Sequence, residues 1–110
     1  MAREDYLGEF EQMVMWTVLR LGQGAYGARV IDELAERVGR KVSSGALYAT
    51  LDRLEAKGML SSRLDDADRA RGGRRRRYLS VSAEGQRALS QSRARWTELW
   101  EGLEPEAGAS

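Results

Sequence analysis

Apolar residues recur near the start of the chain at three- and four-residue intervals. Leu7, Phe10, Val14, Thr17, Val18 and Leu21 form one stripe, and that spacing predicts an amphipathic first helix ended by Gly22-Gln23-Gly24. A second stripe of Tyr26, Val30, Ile31, Leu34, Ala35 and Val38 opposes Asp32, Glu33, Glu36 and Arg37, and predicts a second helix stopped by Gly39. The third helix opens at Ser43 or Ser44, either of which can accept a hydrogen bond from a free backbone N–H of the first turn. It turns Leu47, Leu51 and Leu54 inward and leaves Tyr48, Ala49, Asp52 and Arg53 toward solvent or a partner. Lys57-Gly58 closes it with a positive charge at its negative end.

Beyond Gly58 the period changes. Met59–Leu64 and Arg76–Val81 show partial alternation, which predicts two short antiparallel strands, and Asp65–Arg75 between them reads as a long, flexible hairpin tip. Ser82 then caps a last helix with Glu84 in its first turn, running through Leu89, Ser92, Trp96, Leu99, Trp100 and Leu103 until Pro105. The expected fold class is therefore mainly α with a small antiparallel β-hairpin. The order helix, helix, helix, strand, strand is that of a winged helix-turn-helix, here followed by a C-terminal helix. The expected division is a winged helix-turn-helix over 1–81, read below as a DNA-binding domain, a C-terminal helix over 82–104, read below as a dimerisation helix, and a tail over 105–110 expected to be disordered.

Composition narrows the chemistry. With 110 residues, 42% hydrophobic and 32% charged, the chain has room for one soluble domain. No apolar run approaches the roughly 20 residues of a membrane-spanning helix, and Met1–Asp5 lacks the layout of a signal peptide, so a cytoplasmic location is expected. The absence of Cys and His removes the usual ligands of zinc, haem and iron–sulfur clusters, the thiol nucleophile and the commonest general base. No carboxylate pair or activated nucleophile stands at a meaningful spacing, so neither an enzyme nor a bound metal or cofactor is expected.

The net charge of +1 hides an uneven distribution. Between Arg37 and Arg77 there are 12 Lys and Arg against 5 Asp and Glu, a net +7, which leaves the other 69 residues at −6. The stretch Arg69 to Arg77 holds six arginines and no acid, and that density points to a polyanion rather than to a merely solvated loop. In a winged helix-turn-helix the third helix enters the major groove and the hairpin reaches the flanking backbone or minor groove. Ser43, Ser44, Gly45 and Ala46 are small enough for backbone N–H groups to approach phosphate, and Arg71, Arg74, Arg75, Arg76 and Arg77 carry guanidinium groups suited to phosphate and to a narrow minor groove. Double-stranded DNA is the expected partner.

Four aromatic positions admit two readings each. Tyr48 either contacts DNA, with Ala49 beside it, or packs against the wing. Trp96 and Trp100, joined by Trp16, form either the core of a homodimer interface with Leu89, Leu99 and Leu103, or a pocket that stacks a small hydrophobic or aromatic effector. A last helix of about 20 residues has no other partner in so small a fold, which favours the dimer. A second class of function, a protein-interaction module without specific DNA binding, would use the same tryptophan face.

The stretch Ser43-Ser44-Gly45-Ala46-Leu47-Tyr48-Ala49-Thr50-Leu51-Asp52-Arg53-Leu54-Glu55-Ala56-Lys57-Gly58-Met59-Leu60, followed by Gly72-Gly73-Arg74-Arg75-Arg76-Arg77-Tyr78 and Ser82-Ala83-Glu84-Gly85, resembles the PadR family of transcriptional regulators. Tyr26-Gly27 and Ile31 match that family's second helix. The resemblance implies a homodimeric repressor of an inverted-repeat operator, with Ser44, Gly45 and Tyr48 at the groove and the C-terminal helix at the dimer interface. It also implies a response to small hydrophobic or phenolic compounds. Ala49 departs from the family, which often has Pro there, and this should leave the third helix straighter.

Overall fold

Ser43 and Ser82 each begin a helix by turning a side-chain oxygen onto a backbone N–H that the helix itself cannot satisfy. In the computed structural model, which describes residues 6–65 and 75–103, the Ser43 hydroxyl accepts from the Ala46 N–H at 3.1 Å and that of Ser82 from the Gly85 N–H at 3.0 Å. The elements run α1 (Glu9–Leu21), a 3₁₀ turn (Gly22–Gly24), α2 (Gly27–Val38), α3 (Ser44–Ala56), β1 (Leu60–Leu64), β2 (Arg77–Val81) and α4 (Ala83–Trp100). β1 and β2 are antiparallel, with Leu60 opposite Val81 and Leu64 opposite Arg77. This is the expected mainly helical winged fold. Residues 66–74 of the hairpin tip, including Arg71 and Arg74, and the tail over 105–110 lie outside the described residues.

One core unites these elements. Val14 and Met15 of α1, Val30 of α2 and Leu47, Leu51 and Leu54 of α3 have no exposed surface, and Leu79, Val81, Ala88 and Leu89 close the core from the wing and α4. Leu→Ala at such sites typically costs about 2–5 kcal/mol. Gly39 ends α2 in the left-handed conformation (φ 68°), where a side chain would be strained.

Some inward positions differ from the periodic reading. Val38 is 54% exposed, because the last turn of α2 runs past the core. Met15 and Glu11 are buried although neither belongs to the predicted stripe. A bridge between Tyr26 and Tyr78, with the Leu79 N–H donating to the Ala25 carbonyl at 2.9 Å, ties the segment before α2 to β2. No helix among the described residues is long and apolar enough to cross a membrane.

Candidate nucleic-acid interface

The exposed face of α3 begins at its cap. Ser43, Ser44, Gly45 and Ala49 are all exposed, and the space in front of Gly45 is open. α3 runs unbroken through Ala49. Tyr48 is 39% exposed and crosses to the start of α2, where its hydroxyl lies over the Cα of Gly27. On its other side the Arg77 guanidinium lies 5.9 Å from the ring. Tyr48 therefore packs between α2 and the wing root while keeping part of its surface outward.

The arginines of the wing are not equivalent. Arg75 is exposed. The Arg76 guanidinium stacks 4.0 Å above the Tyr26 ring, and its backbone N–H donates to Asp65 Oδ1 at 2.7 Å, closing the base of the hairpin. Arg77, read from sequence as a phosphate ligand, is turned inward onto α3. Its Nη2 lies 3.4 Å from Asp52 Oδ1 and 3.3 Å from Glu55 Oε1, and its Nε donates to Ser62 Oγ at 3.2 Å. The Ser62 hydroxyl donates to Glu55 in turn. That hydroxyl first, and then the bond and charge of Arg77, hold the Glu55 carboxyl below its usual value against the opposing effect of burial.

Two basic residues that the sequence reading passed over stand beside α3. Arg40 and Lys41, in the loop from α2, line a cleft of about 520 Å³ with Phe10, Ser43, Ala46 and Arg53, and the Arg40 guanidinium sits 4.9 Å above the Phe10 ring. Their signal was available, since they directly precede the cap inside the +7 segment.

A second surface lies along α4. Trp16, Trp96 and Trp100 come together, lining a cleft of about 500 Å³ with Gln12, Arg93 and Thr97. All three indoles are substantially exposed, as are Leu99 and, just past the helix end, Leu103. Leu89 does not join them. It is only 1% exposed and packs in the chain's own core, because α4 turns that residue toward the wing and α1 rather than outward.

Comparison with known proteins identifies the family and the fold. Residues 16–91 match the transcriptional regulator PadR-like family. The chain is similar to the transcriptional regulator Rv3488 of Mycobacterium tuberculosis, 42% identical over 74 residues that cover 67% of this chain and 64% of that one. The chain thus spans less than two thirds of that relative's length. A PadR-like transcription factor from Bacteroides fragilis superposes with a TM-score of 0.71 at 28% identity, over 86% of this chain and 85% of that one. A PadR family transcriptional regulator from Eggerthella lenta gives a TM-score of 0.67 at 31% identity, over 86% and 82%. With the family matched across the helix-turn-helix, the wing and the start of α4, this chain belongs to the PadR-like family of transcriptional regulators.

Proposed function

We propose that this chain works as a homodimeric, DNA-binding repressor of an inverted-repeat operator. The carrying observation is that Arg77 reaches both Asp52 and the Tyr48 ring, so that the wing root stands beside the exposed face of α3 rather than behind it. Each subunit places α3 in a major groove, with Ser43, Ser44, Gly45, Tyr48 and Ala49 toward the duplex and Arg75 of the wing toward the flanking backbone. Arg40 and Lys41 add positive charge at the other edge. The exposed half of α4 from Arg93 onward, with Trp16, supplies the dimer surface, since three indoles left to water are a large apolar cost that a second copy removes. Two half-sites on one face of the duplex, spaced by whole turns of about 10 base pairs, follow from that symmetry.

A gel shift with the DNA upstream of the protein's own gene, competed by mixed-sequence duplex, tests the reading. Tyr48→Ala is expected to lose the preference for the upstream site while keeping residual non-specific binding. Equal loss on every sequence would reduce Tyr48 to a packing residue. The indole cleft also supports a planar hydrophobic or aromatic effector, for which quenching of tryptophan fluorescence accompanied by release of DNA is the expected sign. A panel of such compounds that quenched nothing would leave the cleft as dimer core.

A further inference from the structure

Arg76, just before β2, and Arg77, its first residue, are bound by the protein itself. On one side, Arg76 lies on Tyr26, whose backbone bridges to Tyr78 in β2, and the Tyr26 and Tyr78 rings meet edge to face at 5.8 Å. On the other, Arg77 spans Asp52 and Glu55 on α3 and Ser62 on β1, with its side chain only 24% exposed. Moving Arg77 to a phosphate would strip Asp52 and Glu55 of their shared cation and leave two carboxylates facing a polyanion. Left in place, it neutralises them and joins β1, β2 and α3 in one network.

Resting on the DNA-binding reading, we propose that Arg77 is a positioning residue, a strut that sets the angle of the wing to the groove-facing helix, and that phosphate contact belongs to the exposed Arg75. Members of one arginine run thus do different work. Arg75 contributes charge to the duplex, whereas Arg77 contributes geometry. The Glu55 carboxylate is its counterpart, so removing that negative charge harms binding to a negatively charged duplex.

The test is fluorescence anisotropy with a labelled mixed-sequence duplex over roughly 50–200 mM salt, where log affinity falls linearly with log salt and the slope counts neutralised phosphates. Arg75→Ala removes one phosphate contact from each of the two chains and is expected to reduce the slope by about 1.8. Arg77→Ala is expected to leave the slope unchanged while lowering affinity about fivefold at every salt concentration, as loss of a coupled network would. Arg77→Lys keeps the charge but cannot reproduce the forked bonding, and is expected to behave like Arg77→Ala; it also serves if the alanine variant folds poorly. Glu55→Gln is expected to weaken binding. A slope lowered by about 1.8 in Arg77→Ala, full affinity in Arg77→Lys, or binding by Glu55→Gln as tight as wild type would each overturn the proposal while leaving the DNA-binding reading intact. Wild-type protein that bound no duplex would reject that reading, and the strut with it.

Discussion

At the scale of single residues, stability rests on polar groups placed where a periodic stripe has no room for them. Glu11 is buried in α1, accepts the Gly8 N–H at 2.9 Å, and takes the Lys57 ammonium on both carboxylate oxygens at 3.2 and 3.0 Å. Burial opposes ionisation of Glu11, but the Gly8 bond, Lys57 and Arg53 together outweigh it and hold the carboxyl below its ordinary 4.5. A lowered native value stabilises the fold above the unfolded value and loses that contribution as pH falls through the native one. Urea unfolding of Glu11→Gln should therefore show about 1–3 kcal/mol less stability at neutral pH, with the deficit shrinking below about pH 4. A deficit independent of pH would place the effect in packing. Two glycines give a second comparison. A Cβ at Gly85 would meet the backbone carbonyl of Met59, which cannot yield, whereas one at Gly27 would meet the far end of Tyr48, which can. Thermal unfolding should show Gly85→Ala losing about 3 kcal/mol and Gly27→Ala well under half of that.

At the scale of elements, what could be read from the chain was whatever is local. The leucine stripe of α3, the serine caps and the change of period after Gly58 all act within one or two turns, so the sequence displays them directly. The bridge from Tyr26 to Tyr78 leaves no such mark, since one pair of residues makes no alternation. The same holds for Arg77, whose partners on α3 stand 25 and 22 positions earlier and cannot be told from those of Arg75 in a run of identical residues. Leu89 falls on the tryptophan stripe by spacing yet lies in the core, because helical spacing alone does not say which face of α4 meets α1. The two caps predict unequal costs. Ser43→Ala loses one N-cap bond, about 1 kcal/mol, while Ser82→Ala also loses a hydrogen bond donated to the Gly58 carbonyl at 2.6 Å and should cost about twice as much by chemical denaturation.

At the scale of the whole molecule, charge and apolar surface are sorted to different places. The +7 segment contains the loop before α3, α3 itself and the wing, while the exposed indoles lie along α1 and α4. One surface is suited to a polyanion and the other to a second copy, which is the division of labour a dimeric regulator needs. Sedimentation should accordingly find wild-type dimer and a shift toward monomer in Trp96→Ala, with the far-UV spectrum unchanged because Trp96 lies outside the chain's own core. Whether the face built from α3 and the wing grips duplex DNA is decided by the affinity of the wild-type protein for a duplex as salt is raised. Log affinity should fall linearly against log salt with a slope of several units, two chains binding per site. An affinity indifferent to salt, or no binding at all, would contradict it.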